Sequence, residues 1–138
     1  MANTMYDHGR ENFINGDIDW DADDIKIMFI DEADDVPDLG ADEDLDDRVG
    51  AAIVGTSGNL VGAACLLGVA DANDITTATV AGDEFESIDI YKDSGAAASS
   101  WLICNIDTAT GLACTPNGGD ITVAWDAGAN KIFAWNAS

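Results

Sequence analysis

Few side chains in this sequence could perform acid–base, nucleophilic or metal chemistry. The only imidazole is that of His8, and the only thiols are those of Cys65, Cys104 and Cys114. A Ser–His or Cys–His catalytic pair would have to use His8, which lies in a segment predicted to be a terminal helix. A zinc site would need C-x-x-C or H-x-x-x-H spacing, and a phosphate-binding loop would need Gly-Lys-Ser or Gly-Lys-Thr; the sequence contains none of these. We therefore expect a protein that is not an enzyme, with no catalytic residues, no metal and no cofactor.

Four aspartates at alternate positions are the best candidates for a cation site. They are Asp17, Asp19, Asp21 and Asp23. A calcium-binding EF-hand loop that opened at Asp19 would need Gly at its sixth position and Glu at its twelfth. Those positions hold Asp24 and Ile30, so the motif fails. Two interpretations remain, a weak calcium site and a solvated acidic edge, and we favour the second.

Cys104 and Cys114 flank a cluster of turn residues from Asp107 to Gly111. A hairpin centred on Ala109 would place the two sulfur atoms opposite each other, within reach of a disulfide bond. The alternative is a pair of small buried side chains that stay reduced, which a reducing cytoplasm favours. We expect that environment because three cysteines form no disulfide framework and because Met1 to Tyr6 lacks the pattern of a secretory signal.

The sequence is strongly acidic. It contains 27 Asp and Glu residues against five Lys and Arg residues, and its formal net charge is −22. Nucleic acids and anionic membrane surfaces are bound mainly through Lys and Arg, so this composition argues against both as partners. Asp outnumbers Glu by 22 to 5, a composition that suits concentrated salt, where screening reduces repulsion. The alternative is a single acidic face for a basic partner; we favour the first interpretation.

The apolar residues indicate an all-β fold. Ile and Val together number 20, against seven Leu, and such branched side chains favour strands. The predicted strands are Ile25 to Ile30, Ile75 to Val80, Glu84 to Tyr91, Trp101 to Ile106, Leu112 to Cys114, Ile121 to Trp125 and Lys131 to Trp135. Turn clusters divide them at a spacing typical of an antiparallel β-sandwich or small barrel, which would make residues 1–138 a single domain. Alternation predicts that Leu102, Cys104 and Ile106 share one face.

The first third of the chain is predicted to be less regular. A short helix from Thr4 to Phe13, capped by Asn3 or Thr4 and ended by Asn15-Gly16, gives an N-terminal helical segment over residues 1–20. Within this segment, acidic and apolar residues alternate from Asp17 to Trp20, a pattern that could start a strand. Residues 31–48 form an acidic connector, with a possible short helix from Asp42 to Asp47.

Residues 49–70 contain no charged side chain. This length could span a bilayer as a Gly-rich helix. However, Thr56 to Asn59 are turn residues that separate two similar apolar runs, Val49 to Val54 and Val61 to Leu66. We therefore favour a β-hairpin in which these two runs pair.

Two groups of residues, one at each end of the chain, carry a resemblance to a known family. The first contains Tyr6, Phe13, Asn15 to Trp20 and Asp24 to Met28. The second contains Asp107 to Leu112, Thr115 to Val123 and Gly128 to Phe133. Together they resemble small virion proteins of tailed viruses. The similarity covers the two terminal thirds of the chain and rests on turn positions rather than on a chemical motif.

The resemblance implies a β-rich protein without enzymatic activity that coats or joins parts of the particle. We expect a head decoration or cement protein that binds the major capsid protein on the outside of the shell, forms a homo-oligomer and is found in the virion after assembly in the host cytoplasm. The alternatives are a tail or neck protein of the same virion, a membrane-embedded small coat protein that uses residues 49–70, and a cell-surface-like binding module. The many aspartates and the Cys104 and Cys114 pair depart from the family pattern and indicate a salt-loving host.

The N-terminal segment, Met1 to Trp20, is the first candidate for the part that grips the shell, because a partly apolar terminal helix can dock on a neighbour. The alternative is that this helix covers an edge of the protein's own sheet.

The charge predicts that stability depends on salt. The screening length grows from about 3 Å at 1 M salt to about 30 Å at 0.01 M, so repulsion among the carboxylates increases as salt is removed. We expect the thermal midpoint to fall on transfer from molar salt to dilute buffer, and mild acidification to restore part of the loss. A midpoint that is the same in both solutions would contradict this prediction.

Overall fold

Short antiparallel strands make up most of the regular structure. The computed structural model describes residues 3–135. The strands in that range are β1 (Thr4–Met5), β2 (Ile25–Ile30), β3 (Ile53–Thr56), β4 (Ala64–Leu66), β5 (Val69–Asp71), β6 (Ile75–Thr77), β7 (Ser87–Lys92), β8 (Leu102–Ile106), β9 (Ile121–Val123) and β10 (Phe133–Ala134). Helix α1 spans Asp7–Asn15, and short 3-10 helices span Leu45–Asp47, Gly50–Ala52 and Ala97–Ser99. The prediction of a mainly-β fold with one short helix near the N-terminus is confirmed.

The largest sheet contains five antiparallel strands in the order β1-β8-β7-β2-β3. At its centre, β2 pairs with β7 without interruption, from Ile25 opposite Lys92 to Ile30 opposite Ser87. Both faces of this main sheet are buried. Ile27 belongs to one apolar cluster and Met28 to another on the opposite face. This explains why β2 is apolar over nearly its whole length instead of alternating.

Two smaller sheets contribute to the first of these clusters. Strands β10, β5 and β4 form a three-stranded sheet in that order, and β6 pairs with β9. Their apolar residues, such as Ala70, Ile75 and Ile121, join the cluster that contains Ile27. Within the described residues every sheet has open edges, so the small barrel we considered is not observed.

A bulge in β8 corrects the predicted face of Leu102. The register of β8 against β7 shifts, so that Ile90 is opposite Cys104 but Tyr91 is opposite Leu102. The extra residue turns Leu102 to the other face of the main sheet from Cys104. Simple alternation could not predict this reversal.

The predicted hairpin between residues 49–54 and 61–66 is wrong. Strand β3 pairs with β2, and β4 pairs with β5. Residues 57–60 do not turn back; they continue beside β2, where the Ser57 hydroxyl accepts a hydrogen bond from the Ile27 N–H at 3.0 Å and the Leu60 N–H donates to the Ile25 carbonyl at 2.7 Å. The hairpin turn lies later, between Leu66 and Val69.

Several predicted strands are shorter in the structure. The strand predicted from Ile75 stops at Thr77, just before Thr79, whose φ is +51°. The one predicted from Glu84 begins at Ser87, and the one predicted from Lys131 is reduced to β10. No strand forms over residues 17–20; Ile18 and Trp20 instead bury their side chains from a loop.

The N-terminal segment is part of the main sheet. Thr4 and Met5 are paired with β8, so α1 begins at Asp7 rather than at Thr4. Its predicted end is confirmed, because Gly16 adopts φ +84° and its N–H bonds to the last turn. Gly9 lies against β8; a Cβ atom there would come within 2.7 Å of the Leu102 carbonyl oxygen. The helix therefore lies on the protein's own sheet, as the second interpretation expects, but it covers β8 rather than the edge strand β1.

The acidic connector, residues 31–48, is held in a defined conformation by its aspartates. The Asp38 carboxylate accepts hydrogen bonds from the N–H groups of Gly40 and Ala41. Asp44 and Asp47 form a capping box around the 3-10 helix Leu45–Asp47, where a short helix was predicted over 42–47. The short side chain of Asp reaches such nearby N–H groups, which explains part of the preference for Asp over Glu.

The predicted pairing of Cys104 with Cys114 is wrong. Cys104 is opposite Ile90 on one side and Met5 on the other, whereas Cys114 forms an isolated bridge with Phe85. All three cysteines are free thiols. The turn after β8 is instead held by the N-terminal segment, because the Asn3 side-chain oxygen accepts from the N–H groups of residues 107 and 108.

The uncharged segment forms strands rather than a helix. Residues 49–70 contain β3, β4, their connections and the first part of β5. Among residues 3–135, no helix has the length and apolar composition needed to cross a bilayer. The alternative of a transmembrane helix over 49–70 is therefore not supported.

Candidate functional site

All five cations of the chain are engaged in ion pairs with aspartates. The four peripheral pairs are Arg10 with Asp7, Lys26 with Asp93, Lys92 with Asp23 and Lys131 with Asp71. Hydrogen bonding from Lys26 lowers the pKa of Asp93. The fifth cation, Arg48, is internal. Because every Lys and Arg side chain is paired with an aspartate of the same chain, the surface charge that a partner would meet is that of the remaining carboxylates.

Arg48 is the centre of a buried ionic cluster. Its side chain has no solvent exposure. Its Nη1 atom lies 3.2 Å from Asp35, its Nη2 atom contacts Asp42, and its Nε atom lies 3.7 Å from Asp89. Asp35 and Asp42 belong to the connector and Asp89 to β7, so one guanidinium joins the connector to the main sheet.

Asp89 is the most deeply buried carboxylate of this cluster. Its Oδ1 atom accepts hydrogen bonds from the Tyr6 hydroxyl at 2.7 Å and from the Asn105 amide at 2.9 Å. Burial raises the pKa of Asp89 to about 6, although both hydrogen bonds and Arg48 lower it. Burial and the neighbouring Asp89 likewise raise the pKa of Tyr6 far above its usual value. The cluster joins β7, β8 and the connector to Tyr6, the residue between β1 and α1.

The alternating aspartates at 17, 19, 21 and 23 do not converge on a common point. The Asp23 carboxylate accepts from the Asp19 N–H at 2.7 Å and pairs with Lys92 at 3.0 Å. Lys92 also donates to the Asp17 carbonyl. A hydrogen bond with Asp21 raises the pKa of Asp19. In the described part of the chain, no three His, Cys, Asp or Glu side chains are grouped as a metal ion requires.

The imidazole and the thiols are also dispersed. His8 lies on α1, with Nδ1 3.4 Å from the Glu11 carboxylate one turn later. Cys104 is buried, and burial raises its pKa to about 12, which disfavours the reactive thiolate. Cys65 is exposed on β4, and Cys114 is partly buried at a different position in the fold. These side chains form no nucleophile–base arrangement.

An open apolar groove of about 540 Å³ lies beside the main sheet. Phe29, Phe85 and Ile106 line it from the sheet, and Phe29 and Phe85 stack with ring centroids 4.5 Å apart. Asp126 and Lys131 are charged residues along its lining. Its volume is within the range of small-ligand sites.

Four exposed apolar side chains form the apolar corner, which we define as Ile14, Leu66, Leu67 and Trp135. Their exposed fractions are 76%, 75%, 92% and 42%, respectively. The Trp135 ring lies 6.0 Å from that of Phe13, the residue before Ile14, and the Trp135 N–H donates to the Gly68 carbonyl. These contacts bring the end of α1, the end of the described chain and the β4–β5 turn together.

Leu67 is unfavourable in its position for two independent reasons. It lies in the two-residue turn between β4 and β5, where Leu67 and Gly68 adopt φ +53° and +79°. Such a turn favours Asn or Asp before Gly, whereas Leu in a left-handed conformation costs about 1 to 2 kcal/mol. Its side chain is also almost wholly in water. A residue that is unfavourable on both counts is a candidate for contact with a partner.

Sequence reasoning missed both features. Asp35, Asp42 and Asp89 were indistinguishable from the other aspartates, because no local pattern marks a carboxylate that meets Arg48 across the fold. The apolar corner left one detectable signal, the Leu66-Leu67-Gly68 run inside an uncharged segment, but that run was assigned to the wrong hairpin.

No family model and no curated protein matches this chain.

Replacing Arg48 by Met should destabilise the protein strongly. The substitution leaves three carboxylates facing one another, and loss of one partner of a buried ion pair costs about 3 to 5 kcal/mol. The free energy of unfolding in urea at molar salt measures this effect. Arg10→Met is the matched control, because the pair of Arg10 with Asp7 is largely exposed and should contribute about 1 kcal/mol or less. Equal effects of the two substitutions would show that the buried cluster is not the main ionic contribution.

The pKa of Asp89 predicts a pH dependence of stability. Its value is about 6 in the folded protein and 3.8 for an unperturbed Asp, so the folded chain binds an extra proton between these values. The contribution of Asp89 to stability should therefore rise by about 2 to 3 kcal/mol as the pH falls from about 7 to about 4. Asp89→Asn should remove this contribution, measured as the difference between the variant's and the parent's unfolding free energy against pH. An unchanged profile in the variant would refute the assignment.

Proposed function

We propose that this protein is a non-enzymatic virion structural protein that decorates the head of a tailed virus and reinforces its shell. The resemblance at both ends of the chain suggests this class of protein. The observation that carries the proposal is the apolar corner, a group of exposed apolar side chains on an otherwise acidic protein. Such a group favours stable contact with another protein.

The electrostatics support a position on the outside of the head. Packaged DNA would repel a chain of net charge −22 whose five cations are all paired with its own aspartates. The major capsid protein is the proposed partner, and the virion the proposed location. In the same proposal, the two small sheets are the second layer of a β-sandwich whose first layer is the main sheet, since they share one apolar cluster.

Ile14 is the proposed contact with the shell. Most of the N-terminal segment is committed to the protein's own fold: Tyr6 is fully buried, and Phe13 packs on Phe133 with ring centroids 6.0 Å apart. Ile14 is exposed beside them, in the corner with Trp135. Within the N-terminal segment, we therefore assign the contact with the shell to the exposed end of α1 alone.

A point substitution tests this role better than deletion of the N-terminus, which would remove β1 and Tyr6 from the fold. Ile14→Asn should lower the occupancy of this protein on purified heads, because the exposed apolar contact is lost. Val36→Asn is the matched control, since Val36 is a similarly exposed apolar side chain in the connector. Occupancy is measured from the ratio of this protein to the major capsid protein in the particles. Equal occupancy for the two variants and the parent would exclude Ile14 as the contact.

The open groove favours a second candidate function, that of a binding module for a small apolar ligand or side chain. Its apolar lining and volume support this function, whereas the resemblance does not. A protein that never co-purifies with capsid shells would favour the binding module over the decoration protein.

A further inference from the structure

The exposed edge of the three-stranded sheet has the features of a self-association surface. Strand β4 is the last strand in the order β10-β5-β4, and all three of its residues are exposed. The strand is short, but its residues Ala64, Cys65 and Leu66 include no charge and no proline, and its pairing with β5 has no bulge, so three other protections of a sheet edge are missing.

The hydrogen bonds of β5 determine which groups β4 turns outward. The carbonyls of Gly68 and Ala70 accept from the N–H groups of Trp135 and Ile132, so these two residues direct their backbone groups toward β10. Val69, between them, therefore directs its groups toward β4, where it is opposite Leu66. It follows that the N–H and C=O of Cys65, the next residue along β4, face the open side of the sheet.

We propose that β4 pairs with β4 of a second copy of this chain, antiparallel and centred on Cys65. A two-fold axis through that point lets the two Cys65 residues exchange both backbone hydrogen bonds, and it joins two three-stranded sheets into one of six strands. Leu66 of each copy is then opposite Ala64 of the other. Leu67, in the turn that follows Leu66, then lies at the end of the joined strands, near Ala63 of the other copy.

Charge identifies the second copy as the occupant. Two chains of net charge −22 repel each other at most approaches, but residues 49–70 contain no charged side chain. Along this edge two copies can therefore meet without placing carboxylates against carboxylates. A basic partner would instead be attracted to the carboxylates elsewhere on the surface. The pairing also gives Leu67 the apolar contact that its exposed position lacks.

Sedimentation of the purified chain at rising protein concentration in molar salt tests the proposal. We expect a weak dimer, because the edge is short compared with standard interfaces of about 1,600 Å². Leu67→Asn should weaken dimerisation about tenfold or more, since one apolar side chain per copy loses its contact. The same substitution should raise the thermal midpoint of the monomer, because Asn suits the turn. A gain in stability together with a loss of association is not expected from a merely structural residue.

Thr79→Asn is the matched control. Thr79 is also exposed and has a positive φ of +51°, but it lies outside β4. This substitution should raise the thermal midpoint and leave dimerisation unchanged. If both variants dimerise as the parent does, Leu67 is not at the interface and the proposal fails; a parent chain that stays monomeric at every concentration overturns it outright.

Two substitutions at Cys65 test the register. Cys65→Pro removes an N–H group that faces outward and should abolish the dimer, whereas Cys65→Ser should retain it; because proline also fixes φ, an unchanged thermal midpoint of the monomer is required to assign the loss to the missing hydrogen bond. In a Cys114→Ser background, oxidised glutathione should accept two electrons from two Cys65 thiols and yield disulfide-linked dimers. Dimers that form without any Cys65 link would overturn the centred register. These measurements use no capsid, so their failure is distinct from a failure of the proposed decoration role.

Discussion

The ion pairs of Arg48 constrain how the rest of the chain is arranged. One guanidinium, without solvent exposure, meets carboxylates from two parts of the connector and from β7. Removing a cation from water is costly unless carboxylates and hydrogen bonds surround it, so the connector cannot leave the main sheet without exposing this cluster's partners to one another. Tyr6 and Asn105 complete the arrangement by donating to Asp89, and they connect the start of α1 and strand β8 to the same cluster. The acidic connector, residues 31–48, is therefore packed against the main sheet as part of the fold.

The remaining charges explain the surface. With every cation paired internally, the carboxylates that are left dominate the exterior and favour a salty environment and partners other than nucleic acid. Against this background, the uncharged edge at β4 is a place where another protein can approach without meeting carboxylates, and the exposed end of α1 presents the apolar side chain of Ile14. The two surfaces lie close together, at the corner where Trp135 contacts both the β4–β5 turn and Phe13. The proposed contact with a shell, through Ile14, and the proposed contact with a second copy, through β4 and Leu67, therefore involve neighbouring parts of the molecule.

The sequence predicts those elements whose conformation depends on neighbouring residues. It does not predict features that depend on contacts between residues far apart in the chain. The strand from Ile25 to Ile30 and the glycine that ends α1 were predictable, because an uninterrupted apolar run and a residue tolerant of positive φ are local features. The pairing of β3 and β4 was not, since Ser57 looks like a turn residue until its hydroxyl is seen to bond to β2. The face of the sheet on which Leu102 lies is set by a bulge. The residues opposite Cys104 are contributed by β1 and β7, which are distant in sequence. For the same reason, Arg48 could not be distinguished from a surface cation.

Imaging of labelled particles tests the account most directly. A gold-labelled antibody fragment against this protein, applied to intact virions in molar salt, reports where the chain is exposed. The account predicts label distributed over the outer surface of the head and absent from particles that lack the protein. Label confined to the tail or neck, or label that reaches the protein only after the head is opened, would contradict it.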